Sequence, residues 1–286
     1  MRTLKYICLL FFVGSIQSCA NTNSVKDKSP IGFDLQHPVR YPMPDALLEI
    51  SGITFHPGDT ERIYAIQDEE GALFYLRPND KKAQKFKFGK KGDYEDLAIT
   101  DERVIVLRSD GTLFSFPLNE IRHNEIQQLQ EWAGLVPKGE YEGLFADQSS
   151  GQLFLLCKTC KSGKGNSNLS GYVLDMNKNG QIKVKEHFSI ETDKIATLAG
   201  HMKINFRPSA LALNPLTNEW YILSSVNKLL IIADKNWKVK EVYPLDADTF
   251  NQPEGIAFDQ KGNLYISNEG DKIQNGNVLR FVYHKE

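Results

Sequence analysis

One short motif returns five times along the chain, and that recurrence limits the fold more than any other feature. Its fullest copy is Gln252-Pro253-Glu254-Gly255-Ile256-Ala257-Phe258-Asp259, followed by Gly262-Asn263-Leu264-Tyr265-Ile266-Ser267-Asn268-Glu269. A short apolar run, a Gly turn and a second run ending in polar residues describe two antiparallel strands. The other copies begin at Glu49-Ile50-Ser51-Gly52-Ile53, Asp93-Tyr94-Glu95-Asp96-Leu97, Glu140-Tyr141-Glu142-Gly143-Leu144 and Arg207-Pro208-Ser209-Ala210-Leu211. Aligned, they put Ser51, Glu95, Glu142, Ser209 and Glu254 at one equivalent position, with spacings of 44, 47, 67 and 45 residues. Periods near 45 belong to propeller blades of four strands. The chain is therefore expected to be all-β, a five-bladed β-propeller of four-stranded blades.

Each unit supports that strand count. In the first, strands are expected over Gly52–His56, Arg62–Gln67, Ala72–Arg77 and Gln84–Phe88. In the second they fall at Asp96–Thr100, Arg103–Arg108 and Thr112–Pro117, with a last strand near Ile126–Glu131. The fourth gives Ala210–Leu213, Trp220–Ser224, Leu229–Ala233 and Val239–Tyr243. Pro57-Gly58-Asp59, Asp110-Gly111, Asn214-Pro215 and Lys261-Gly262-Asn263 mark turns between them. The third unit is about twenty residues longer than its neighbours. Its extra length lies in Lys158–Ser170 and Glu191–Asn205, where Thr192-Asp193-Lys194 can start a short helix.

Only 32 residues follow Glu254, enough for three strands: Gly255–Asp259, Asn263–Asn268 and Asn277–Tyr283. A three-stranded last blade leaves an open edge. Residues 32–41 have no other role, so they are expected to supply the outer strand and close the ring, stapled by Phe33, Leu35 and Val39.

The first strand of every blade lines the central channel, so the five equivalent residues converge on one axis. Three of them are carboxylates. At about 6 Å and an effective dielectric of about 20, each pair of ionised carboxylates repels by ~3 kcal/mol. Glu95, Glu142 and Glu254 must then be protonated, paired with a cation or opened to water. Hard oxygen ligands without nearby His or Cys favour calcium. Asp68 and Glu69 in the first blade and Asn268 and Glu269 in the last stand where second strands end and can join the rim, with Ser51 and Ser209 completing the shell. The alternative is that these acids cap the channel by accepting backbone N–H bonds and meet no metal.

The ordered set Ile50-Ser51-Gly52-Ile53, Tyr94-Glu95-Asp96-Leu97-Ala98, Tyr141-Glu142-Gly143-Leu144, Pro208-Ser209-Ala210-Leu211 and Pro253-Glu254-Gly255-Ile256-Ala257-Phe258 resembles the SdiA-regulated family of exported bacterial β-propellers. The likeness covers about residues 45–286. It implies a five-bladed propeller with a bound calcium ion, distantly similar to NHL-repeat proteins. It implies no settled activity, and the long third unit departs from the even spacing.

The N-terminus has the layout of an export signal: basic Arg2 and Lys5, an apolar run from Tyr6 to Val13, then Ile16-Gln17-Ser18-Cys19. The run is too short to span a membrane. The last four residues resemble a lipobox, which makes residues 1–18 a signal peptide and Cys19 the lipid attachment site; the alternative is an ordinary cleavable signal with an incidental Cys19. Residues 19–31 read as a flexible tether and residues 32–286 as one propeller domain. The expected location is an exported bacterial lipoprotein on the periplasmic face or the outer membrane, a monomer held to the membrane by its lipid. Losing Arg2 and Lys5 leaves 32 basic against 36 acidic side chains, a net charge of −4. Nucleic acid is an unsuitable partner for such a surface. Cys157 and Cys160 end a strand-like run, Leu153-Phe154-Leu155-Leu156, rather than opening a helix, so a local disulfide or two free thiols is expected and not a redox centre.

Three functions stay open: a binding module for a protein or glycan, a calcium-dependent hydrolase of the lactonase, phosphoesterase or esterase kind, and a purely structural envelope protein. Hydrolysis needs a base or basic clamp beside the metal. His56, Arg108, Lys158 and His201 are available, but none pairs at a diagnostic spacing, and neither a Gly-x-Ser-x-Gly elbow nor a His-Glu-x-x-His helix is present. Lys158, Lys161 and Lys164 read as a solvated loop. The missing chemistry ranks binding above catalysis and leaves the catalytic residues unknown.

Overall fold

The structure, a computed structural model, describes residues 28–123, 125–160 and 168–285. The signal peptide, Cys19 and the tether up to residue 27 lie outside the described residues, as do Lys161 and Lys164. The first strand, β1, is Val39–Pro42. Blade 1 is β2 (Ile50–His56), β3 (Asp59–Gln67), β4 (Ala72–Leu76) and β5 (Gln84–Lys87). Blade 2 is β6 (Tyr94–Ile99), β7 (Arg103–Arg108), β8 (Leu113–Pro117) and β9 (Gln130–Trp132). Blade 3 is β10 (Gly139–Asp147), β11 (Gln152–Cys160), β12 (Leu169–Met176) and β13 (Ile182–Ile190), followed by helix α1 (Thr192–Leu198). Blade 4 is β14 (Ala210–Leu213), β15 (Trp220–Ser224), β16 (Leu229–Ala233) and β17 (Val239–Pro244), and blade 5 is β18 (Pro253–Phe258), β19 (Leu264–Asn268) and β20 (Asn277–Phe281).

The result is five four-stranded antiparallel sheets, the expected five-bladed propeller. The last sheet has the order β1-β20-β19-β18, so the N-terminal strand completes blade 5 and closes the ring. Val39 pairs with Arg280 and Pro42 with Asn277. Phe33 and Leu35 are buried between blades 4 and 5, Phe33 against the rings of Tyr221, Phe258 and Tyr283. Val39 departs from the expectation: it stands on an edge strand and is 45% exposed, so of the three expected residues only Phe33 and Leu35 are buried. The fourth strand of blade 2 also starts later than expected. The segment before it is held by Glu120, whose carboxylate accepts bonds from Gln127 N and Gln128 Nε2, and pairing begins only at Gln130.

Alternation along the central strands sends apolar side chains into the seams between blades, where five clusters form the core. Two glycines let the first strands approach closely at the axis. A Cβ on Gly52 would lie 2.6 Å from Asp96 Cα, and one on Gly255 would lie 2.5 Å from Ser51 O. No helix among the described residues is long and apolar enough to cross a membrane.

Candidate functional site

In four of the five blades the motif residue falls at a register irregularity of its strand. In β6 the register slips between Tyr94 and Asp96, in β10 between Tyr141 and Gly143, and in β18 between Pro253 and Gly255. In β2 it slips between Ile50 and Ile53. A bulge leaves one residue out of the ladder and re-aims its side chain. Glu95, Glu142, Glu254 and Ser51 are the residues so released, while Ser209 stands one residue before β14, its N–H still bonded to Leu223 O. Two residues further along each first strand, Ile53, Leu97, Leu144, Leu211 and Ile256 are all buried and place an apolar layer next to the acids.

A second ring emerges from the pairing. Ile50 faces Gln67, Tyr94 faces Arg108, Tyr141 faces Cys157 and Pro253 faces Asn268. The residues that follow these partners are Asp68, Ser109, Lys158 and Glu269, and Ser225 follows Ser224 at the matching end of β15. The two rings together carry five carboxylates and a single ammonium, on Lys158.

Lys158 Nζ donates to Glu142 Oε1 at 2.7 Å, with side chains 25% and 6% exposed. Its expected place in a solvated loop is thus wrong: it lies inside β11, where Tyr141 pairs with Cys157 and Glu140 with Thr159, so that Lys158 is left out of the ladder and its side chain meets Glu142. Glu95 and Glu142 are hydrogen-bonded to each other. Burial raises both, Glu95 further because Glu142 opposes its ionisation while Lys158 holds Glu142 down. The pair therefore shares a proton. Burial, then the charge of Glu142, pushes Glu254 up to about 7, against which the Ser225 hydroxyl donates a hydrogen bond. Burial, then Glu254, pushes Glu269 up to about 8. Asp68 is raised by burial and by Glu49. Lys228 lies near enough to feel Glu254, though its ammonium donates to Asn251 O at 2.6 Å.

The serines of the motif are engaged between blades. Ser51 Oγ donates to Glu95 O at 2.5 Å and Ser209 Oγ to Pro253 O at 2.9 Å, each reaching the next blade's motif residue or its neighbour. Ser267 Oγ closes blade 5 onto Ser51 O at 2.7 Å. Between blades 2 and 3 the link is Asp96, a residue the motif comparison passed over. Its fully buried carboxylate accepts Leu97 N at 2.8 Å and Leu144 N at 2.7 Å. The small residue at this position in other copies concealed it. Glu69 does not join the site. It is half exposed and its carboxylate takes Lys91 Nζ at 3.0 Å, because the turn after β3 points it outward.

The residues suggested as bases are scattered. His56 ends β2, five residues beyond Ser51, which is about 17 Å along a strand. Arg108 is bonded to Asp110 at 2.9 and 3.1 Å and lies over Phe114. His201 is exposed. Only Lys158 belongs to the axial site. Cys157 and Cys160 are joined as a disulfide, with Cα atoms 6.0 Å apart.

The calcium implied by the family likeness can be tested on the donor set. No group of three or more His, Cys, Asp or Glu side chains among the described residues is arranged tightly enough to hold a metal as it stands. Yet the donors are all oxygen, and two of them lack partners. Asp68 Oδ1 and Asn268 Oδ1 are buried acceptors with no hydrogen-bond donor among the described residues. A buried acceptor without a donor is costly. The set therefore suits a hard cation chemically, with Lys158 holding Glu142 when no metal does.

A family model, SdiA-regulated, matches residues 36–272. No curated protein matches the sequence. Among solved structures, the glutaminyl cyclase of Myxococcus xanthus is similar at a TM-score of 0.57 and 17% identity, over 87% of this chain and 97% of that one. A calcium-binding protein, regucalcin, from Agrobacterium tumefaciens is similar at a TM-score of 0.53 and 14% identity, over 86% and 95%. A streptogramin B lyase follows at 0.50 and 10%, over 87% and 98%. At such identities the likeness is one of fold.

Proposed function

The chain belongs to the SdiA-regulated family, and on that footing we propose that it is a lipid-tethered binding module of the bacterial envelope whose axial acids hold a calcium ion. The observation that carries the cation is the double ring, in which five carboxylates are offset by one ammonium. Glu95, Glu142 and Glu254 would hold the ion, with Asp68, Glu269 and the orphaned oxygen of Asn268 at its rim. Calcium supplies fixed positive charge at the point where buried carboxylates need it. Ser51 and Ser209 keep the blades in register beneath it. The fold neighbour described as a calcium-binding protein supports this reading.

Membrane attachment rests on the leader and Cys19 in the sequence. Binding is preferred to hydrolysis because His56 lies at the far end of β2, Arg108 is engaged by Asp110, His201 is exposed and Lys158 is engaged by Glu142. The test is a thermal melt in EGTA and in millimolar calcium. Calcium is expected to raise the melting temperature of the wild type, and Glu142→Gln is expected to bind it more weakly. No shift in the wild type removes the calcium site.

A further inference from the structure

The long third blade builds a second concavity beside the axial mouth. It is a cleft of about 560 Å3 between the end of β11, the start of β12 and the irregular segment that leads into β14. Lys158, Lys203 and Arg207 line it together with Asn168, Ser170 and Asn205, and among the described residues no Asp or Glu does. That is unexpected on a protein whose acidic side chains outnumber its basic ones and whose neighbouring rim is strongly acidic.

The three cations differ in what they have left to offer. Lys158 is held by Glu142. Arg207 makes a long bond to Glu140 Oε2 at 3.4 Å and an ordinary one to Thr159 Oγ1 at 3.1 Å, and is 38% exposed. Its guanidinium carries five N–H donors and both bonds use Nη2, so Nε and Nη1 have no partner among the described residues. Lys203 is exposed and has neither an ion pair nor a hydrogen bond among the described residues. A planar Arg fork beside an uncommitted ammonium suits a carboxylate. The amides of Asn168 and Asn205 and the hydroxyl of Ser170 add neutral groups that both donate and accept, the complement of sugar hydroxyls. The volume lies in the range of small-molecule clefts and exceeds what a lone anion needs.

We propose that this cleft binds a carboxylate-bearing saccharide, the carboxylate between Lys203 and Arg207 and the hydroxyls on Asn168, Asn205 and Ser170. The proposal rests on reading the chain as a binding module, but it does not depend on the axial calcium. Long loops on a rigid scaffold are where recognition is placed, which gives the extra length of blade 3 a purpose.

The test is calorimetric titration of the full soluble chain with digalacturonate, with its neutral counterpart digalactose, and with sodium sulfate, each in EGTA and in calcium. Digalacturonate is expected to bind, the neutral sugar to bind at least tenfold more weakly, and Lys203→Glu to lose roughly tenfold or more, equivalent to ~1.4 kcal/mol. Lys203 is exposed and uncommitted, so this variant should fold as the wild type does. Asn205→Ala should lose affinity for the sugar and none for sulfate. Absence of digalacturonate binding overturns the proposal, as does an unchanged affinity in Lys203→Glu. Sulfate binding as tightly as digalacturonate overturns the saccharide part and leaves an anion site. Loss of the calcium-induced melting shift with digalacturonate binding intact refutes the axial metal and spares the cleft.

Discussion

Replacing Lys158 by Met removes the one ammonium bonded to the axial acids among the described residues and leaves a side chain of similar length. The pair is close and largely dry, with 2.7 Å between Nζ and Oε1 and Glu142 only 6% exposed. With charge centres about 4 Å apart at an effective dielectric of about 20, the attraction is ~4 kcal/mol. Removing one partner of a buried pair costs about 3–5 kcal/mol, and the partial exposure of Lys158 puts this one near the lower figure. At pH 8 in EGTA the variant should lose roughly 3 kcal/mol, or about 6–12 °C in melting temperature for a domain of this size. At pH 5 the loss should shrink, because Glu142, already raised by burial, can take a proton in place of the ammonium. Calcium should restore the variant and bind it more tightly than the wild type, since no ammonium competes for Glu142. Melts and calcium titrations at both pH values read all of this. A variant as stable as the wild type at pH 8 in EGTA, or one with weaker calcium affinity, refutes the reasoning.

Other outcomes follow from the same geometry. Glu254 titrates near 7 in the fold against an ordinary 4.5, so the folded state holds more protons between those values. Metal-free stability should fall as pH rises from about 4.5 to 7, by roughly 3 kcal/mol from this group alone, and Glu254→Gln should flatten that fall in urea titrations. Asp96→Asn leaves Leu97 N or Leu144 N facing an NH2 group, and chemical denaturation should show a loss of about 1–3 kcal/mol. Deleting residues 30–42 removes β1, Phe33 and Leu35, and should abolish the single sharp unfolding transition; a deletion that melts as sharply as the full chain contradicts ring closure by this strand.

The architecture was readable because a propeller writes its period into the chain. The turns at Asp110-Gly111 and Lys261-Gly262 and the apolar runs between them set most strands to within two residues, with β3 starting earlier than expected at Asp59 and β9 later at Gln130, and the short last unit pointed to closure by the N-terminus. The inner ring was readable for the same reason, since Ser51, Glu95, Glu142, Ser209 and Glu254 recur at one place in the motif. What the motif could not convey was the second ring. Asp68, Ser109, Lys158, Ser225 and Glu269 have no common chemistry, and their equivalence appears only when each second strand is paired against its bulged partner. Lys158 was further disguised by its neighbours Lys161 and Lys164, which make it resemble part of a basic loop. Glu69 misled in the opposite way, being next to Asp68 in sequence but turned toward Lys91 by the reversal after β3. Val39 likewise has the composition of a core residue and the position of an edge strand.

The central claim is that the axial acids carry protons and one ammonium where a metal would otherwise sit. It is tested most directly by titrating the metal-free protein with calcium at pH 7 in two buffers of different ionisation enthalpy. The proton shared by Glu95 and Glu142, and those on Glu254 and Glu269 with values of about 7 and 8, predict calcium binding with release of about one proton or more per ion. Binding with no proton released, or no binding heat in either buffer, would contradict the account.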